Sequence, residues 1–149
     1  MLLNISIIAI LLSKVMPCDC APPPSPEEAY EMADAVFSGE VINIVEDWDN
    51  LLKEISIDVY DVWKGSIDNQ IVILTGIDDG ICGYNFQEGI EYLIYANLSG
   101  QNLWTNICTR TTLLEDAEED LRFKKHFNNS VCDNALSKFN KLHSLINFK

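Results

Sequence analysis

Cys18-Asp19-Cys20-Ala21-Pro22-Pro23-Pro24 is the stretch on which the reading of this chain turns. Two cysteines one residue apart cannot readily bond to each other, because the intervening chain does not reach disulfide geometry without strain. Each needs a distant partner, and the sequence offers Cys82 and Cys108. The prolines behind them fix φ and carry the segment away along a stiff, polyproline-like path. A rigid ridge is expected, serving either as a staple for the fold or as a preorganised probe for another protein's cleft.

Upstream of the ridge, Leu2 to Leu12 is an apolar run broken by Asn4 and Ser6. It is too short to span a bilayer and has the length of the hydrophobic part of a signal peptide. Residues 1–17 are therefore expected to be a signal peptide, with no membrane attachment after its removal. Five cysteines in 149 residues fit a secreted, extracellular protein. A retained anchor or a different start is the alternative, since no basic residue precedes the run and Val15-Met16-Pro17 is a poor cleavage site. The chain is long enough for one domain with a core. Its net charge of −13 opposes nucleic acid and anionic membrane surfaces and leaves basic-faced proteins as partners. Asn97-Leu98-Ser99 and Asn128-Asn129-Ser130 have the form of glycosylation sequons.

Downstream, Ser25-Pro26-Glu27-Glu28 reads as a helix start, with Ser25 as cap, Pro26 first in the helix and Glu28 closing a capping box. Ala29, Met32 and Ala33 would face inward. A β-rich run follows from Ala35 to Ile44, with Gly39 inside it marking a bulge. Residues 54–62 alternate, with Ile55, Ile57, Val59 and Val62 against Ser56, Asp58, Tyr60 and Asp61, so one face should be buried and one wet. Further strands are expected at 70–75, 92–96 and 103–108. Thr112 is expected to cap a helix over 112–124, and Leu136, Phe139, Leu142 and Leu145 suggest another over 134–146. Five short strands with helical pieces at the ends suggest a small closed or half-closed barrel. Five is what an OB-type barrel needs, and a sandwich would read similarly.

In this order, the residues resemble the tissue inhibitor of metalloproteinases family. The shared features are the Cys-x-Cys-x-Pro-Pro stretch, a strand ending in Trp63-Lys64-Gly65, Thr75-Gly76 ahead of Cys82-Gly83, a Tyr-rich strand, and Cys108-Thr109-Arg110 before a helix. The likeness covers Cys18 to Leu121. It implies a mainly β fold, a five-stranded OB-fold barrel of the netrin-like type with short flanking α-helices, over residues 18–125, and a helical tail over 126–149. It implies bridges Cys18–Cys82 and Cys20–Cys108. It also implies a role: a secreted inhibitor, not an enzyme, whose partner is an extracellular zinc metalloproteinase. In the family, the amine and carbonyl of the residue matching Cys18 chelate the protease's catalytic zinc. Asp19 matches the side chain that enters the specificity pocket, and Cys20, Ala21 and Pro22 match the rest of the contact ridge.

The departures are specific. The family's third bridge in this domain has no counterpart, since Tyr30-Glu31-Met32-Ala33 lacks cysteine, and Cys132 is left odd, available to link two chains into a dimer. Asp19 places a carboxylate where the family has a small neutral side chain, at a desolvation cost in an apolar pocket. The alternative function is a secreted netrin-like binding module with no inhibitory activity, its CxC purely structural.

No cofactor and no metal of its own is expected: there is no CxxC, and His126 and His143 are isolated on polar helical positions. Cys132 with His126 makes no nucleophile arrangement. The acidic runs Asp78-Asp79 and Glu115 to Asp120 read as solvated faces, and Trp48, Trp63 and Trp104 as core or rim packing.

Overall fold

The computed structural model describes residues 18–127. The expected signal segment, Cys132, His143 and the expected helix over 134–146 lie outside the described residues.

The first helix, α1 (Pro26–Met32), begins as its sequence dictates. Ser25 Oγ accepts from Glu28 N at 3.3 Å and Glu28 Oε2 accepts from Ser25 N at 3.0 Å, so two otherwise unpaired donors are satisfied reciprocally. Ala29 and Ala33 are buried beneath it, but Met32, expected to face inward, is 73% exposed. It stands at the margin of the buried stripe, over a groove shared with Pro22 and Pro24.

Six strands follow: β1 (Ala35–Asp47), β2 (Leu52–Lys64), β3 (Gln70–Gly76), β4 (Glu91–Ser99), β5 (Asn102–Trp104) and β6 (Thr112–Leu113). They hydrogen-bond in the order β1-β2-β3-β5-β4-β6, with β1 also paired to β4. The first five strands are thereby linked into a ring, and β6 hangs on β4. All pairings are antiparallel except β3 with β5, which meet at Leu74 and Trp104. The long strand β1 serves two neighbours, and the register slips between Ser38 and Gly39. A β-carbon on Gly39 would lie 2.6 Å from Ile57 Cγ2, and nearer still to the Asp58 carbonyl. Only glycine lets the strand bend this tightly over β2.

Alternation along β1 and β4 divides the core in two. Ala35, Phe37, Val41, Tyr92, Ile94 and Ala96 join Ile55, Ile57, Ile73, Phe86 and Leu103 inside the ring. Val36, Leu93 and Tyr95 point the other way, onto Ala29, Ala33 and Ala117. Both faces are therefore buried over Ala35–Phe37 of β1 and Tyr92–Ala96 of β4, and those stretches are continuously apolar.

Three expectations need correction. The expected fifth strand stops at Trp104 rather than Cys108, because the Thr105 hydroxyl donates to Tyr95 O at 2.9 Å and the chain turns away. The expected helix over 112–124 starts later. Thr112 and Leu113 pair with β4, Leu114–Asp116 makes one 3-10 turn, and helix α2 occupies residues 118–127. The cause lies in the apolar spacing: Leu113 packs on the ring interior and Leu114 on the outer cluster, a period of two. Lastly, Val62 and Tyr60 are both exposed near the end of β2, where the alternation of the strand has lost its covering layer.

Candidate functional site

The ridge begins at the first described residue. Cys18 is bonded to Cys82 and Cys20 to Cys108, each pair with its Cα atoms 5.2 Å apart. In extended chain, residues i and i+2 point to the same side, so both cysteines face the ring while Asp19 faces away and is exposed. Ala21, Pro22 and Pro23 are also exposed, and Pro24 is half-buried where the ridge rejoins the body.

Each anchor sits on a shaped loop. Asp78 Oδ1 accepts from Gly80 N at 2.9 Å and Asp78 O accepts from Gly83 N at 2.8 Å, closing the turn that ends at Cys82. Cys82 itself is in the left-handed region, with φ 61°. Gly83 packs directly on Gly76, leaving no room for a side chain. The second anchor lies in the turn 105–111, built on threonine hydroxyls. Thr111 Oγ1 accepts from Tyr95 N at 3.0 Å, and the Thr105 and Thr111 hydroxyls are 2.7 Å apart. Cys108 N donates to Asn106 Oδ1 at 2.9 Å. The two anchors are tied to each other, since Ile107 N donates to Cys82 O at 3.1 Å. The bridges are neighbours as well: the Cys18 and Cys108 sulfurs are 4.0 Å apart. The sulfurs of Cys18, Cys82 and Cys108 all lie within 4.8 Å of one another.

The exit of the ridge is held by Arg110. Its Nη1 donates to Pro24 O at 2.9 Å. Its Nε and Nη2 donate to the two carboxylate oxygens of Asp120 at 2.9 and 2.8 Å, and Nη2 also reaches Glu119 at 2.8 Å. Tyr95 completes the group, its hydroxyl donating to Asp120 Oδ1 at 2.6 Å. Asp120 is buried, so the reading of the acidic run 115–120 as wholly solvated is wrong at that residue. The hydrogen bonds with Asp120 hold the Arg110 guanidinium further into its charged form than usual. Burial first, and then the Asp120 hydrogen bond, push the Tyr95 phenol well above its ordinary range. Both groups therefore keep their hydrogen-bonding forms across the neutral range, and the network works as a clamp.

Beside the ridge is a groove of about 380 Å³, lined in part by Ala21, Pro22, Met32, Asn97 and Arg110. The other residues singled out by sequence fall elsewhere. Asp78 and Asp79 are exposed, the former as a turn cap, and His126 is exposed on α2. Trp48 is exposed, whereas Trp63 is half-buried in the outer cluster under Lys124, whose Nζ is 4.5 Å from the ring centroid.

Sequence reasoning did not find the roles of Arg110, Asp120 and Tyr95. A signal did exist for Asp120: it follows the buried Ala117 by three residues, the spacing of one helical face. Its five acidic or small neighbours masked it.

What the arrangement offers chemically is a fixed stretch of exposed backbone, with one carboxylate at its crest. The chain matches no protein-family model, and no curated protein matches it significantly.

Proposed function

We propose that this chain is a secreted metalloproteinase inhibitor whose ridge, beginning at Cys18, enters a protease cleft and caps the catalytic zinc. The observation that carries this reading is the double pinning of an exposed ridge: Cys18 and Cys20 are each bonded to a separate loop, while Asp19, Ala21 and Pro22 remain exposed between and beyond them. Catalytic zinc keeps one coordination position open for water. An amine and a carbonyl on Cys18 would displace that water as a chelating pair, provided processing frees the Cys18 nitrogen. A ridge ordered before binding loses little entropy on docking, which is how a small contact gains affinity. The ring of five strands, read as an OB-type barrel of the netrin-like kind, is the platform under it.

Asp19 limits the range of targets. Its carboxylate would enter the pocket beside the zinc, so proteases with a polar or basic pocket are favoured and apolar pockets penalised. The same residue supports a second reading, a netrin-like module that docks a basic extracellular protein through its acidic surface. The proposal is tested by sequencing the N-terminus of the protein exported by its own cells. A start at Cys18 is expected, and any other start removes the chelating amine and overturns the mechanism.

A further inference from the structure

We propose that the chain's own segment 134–146 docks on the groove at the end of β2 and covers the apolar side chains exposed there. The groove, of about 250 Å³, lies between α1, β2 and α2. Tyr30, Val62, Trp63, Phe123 and Phe127 line it, together with Asp61 and Lys124, which form an ion pair. On the same strand, Tyr60 is 51% exposed and Val62 38%. The Trp63 indole N–H is buried and meets no acceptor among the described residues, which folded chains rarely leave so.

Connection is the first argument for the occupant. Phe127, the last described residue, is itself a wall of the groove. Residues 128–133 then reach at most about 20 Å, and a connection this short sets the elements it joins side by side. Leu136, Phe139, Leu142, Leu145 and Ile146 recur near helical spacing. The segment therefore carries an apolar stripe in need of a surface, and an apolar groove lies where it departs.

Charge is the second. Residues 134–149 hold Lys138, Lys141 and Lys149 and no carboxylate side chain, in a chain of net charge −13. Beside Tyr60, Glu40 stands opposite both Asp58 on β2 and Glu91 on β4. The Tyr60 hydroxyl donates to Glu40 Oε2 at 2.7 Å. Among the described residues none of these three carboxylates is in an ion pair, and like charges directly opposite repel. A basic segment lying over Val62 and Tyr60 brings its lysines to that row. This inference is independent of the inhibitor reading.

The test uses the oxidised full chain carrying Cys132→Ser, which excludes dimers through that thiol. A benzophenone amino acid replaces Phe139, and cross-linked peptides are mapped after irradiation. Cross-links within one chain to residues 60–64 are expected, weakened by high salt. In the triple variant Leu136→Asp, Phe139→Asp and Leu142→Asp, amide exchange across 118–127 should speed up by roughly tenfold or more, since the burial of several apolar side chains is lost. Cross-links only between two chains would make a second copy the occupant. Protection of 118–127 that appears only with vesicles of anionic lipid would make it a membrane surface. Either result overturns the proposal, as do cross-links confined to residues 118–133, no cross-link, or exchange unchanged by the three substitutions.

Discussion

Arg110 grips Asp120 with two parallel hydrogen bonds, Nε to Oδ1 at 2.9 Å and Nη2 to Oδ2 at 2.8 Å, while the same guanidinium holds the carbonyl of Pro24. One side chain thus connects the end of the ridge, the turn carrying Cys108 and the helix α2. Asp120 is almost fully buried. Removing its carboxylate leaves the buried Tyr95 phenol without its acceptor, while the half-buried Arg110 keeps Glu119 and the Pro24 carbonyl. Asp120→Ala should therefore cost about 2–3 kcal/mol, below the range for a buried charge left with no partner. Tyr95→Phe should cost about 1 kcal/mol, since it removes a single donor. Urea denaturation midpoints check both, and a cost for Asp120→Ala no larger than that for Tyr95→Phe would contradict the clamp.

The loop carrying Cys82 depends on contact between two glycines. A β-carbon on Gly83 would stand 2.9 Å from the Asp78 carbonyl oxygen and closer still to that of Gly76. Backbone surrounds the site, so nothing yields by changing rotamer. Gly83→Ala should destabilise the chain by about 2–3 kcal/mol, at the upper end of ordinary overpacking. Gly100→Ala is the contrast, because nothing lies near its β-carbon and only its φ of 65° opposes the change. Thermal melts of the two variants should rank Gly83→Ala clearly lower.

Breaking the longer bridge tests how much of the fold rests on it. Cys20 and Cys108 are 88 residues apart in sequence. By the chain-entropy relation, such a cross-link is worth about 4–5 kcal/mol through the unfolded state. The double variant Cys20→Ala with Cys108→Ala should lose most of this in chemical denaturation. A loss below about 1 kcal/mol would mean that the ridge, and not the fold, is what the bridge serves.

Stability should also fall in alkali. The Tyr84 phenol is pushed up to about 12 from its ordinary value of 10.0, mainly by burial and further by Tyr92 and Asp116. The folded chain thus keeps a proton that the unfolded chain releases earlier. This contribution is complete below pH 10 and is lost as pH rises from 10 toward 12. The Tyr95 phenol shifts in the same direction and adds to the effect. Tyr84→Phe should flatten the decline seen in urea midpoints across that window, and an unchanged slope would contradict it.

Much of the fold was legible because local chemistry and packing agree. The Ser25-Pro26-Glu28 start forms the expected cap, the bulge falls at Gly39, and β2, β3 and β4 contain the expected runs. The reading failed where a long-range contact overrides a local pattern. Thr112 and Leu113 look like a helix start, yet β4 has an open edge that takes them as a sixth strand. Asp120 looks like one more solvated acid until the turn at Arg110 folds over it. The ridge was visible as two cysteines and three prolines. The clamp on its exit was not, because its three members come from β4, a turn and α2.

Asp19 gives the sharpest prediction about specificity. It is exposed at the crest of the ridge. A carboxylate entering an apolar pocket must lose water without a partner. Asp19→Thr should tighten inhibition of apolar-pocket metalloproteinases by roughly tenfold or more, equivalent to about 1.4 kcal/mol. Inhibition constants for both forms against one such enzyme decide it, and weaker inhibition by the threonine form would contradict the placement of Asp19.

The inhibitor reading is tested most directly by two refolded, oxidised chains, one starting at Cys18 and one carrying a single alanine before it. Both are titrated against a panel of extracellular zinc metalloproteinases with apolar and polar pockets. The chain starting at Cys18 should inhibit at least one polar-pocket enzyme, and the added alanine should abolish that inhibition while leaving the melting temperature unchanged. Equal inhibition by the two chains, or none by the chain starting at Cys18, would contradict zinc capture by the ridge.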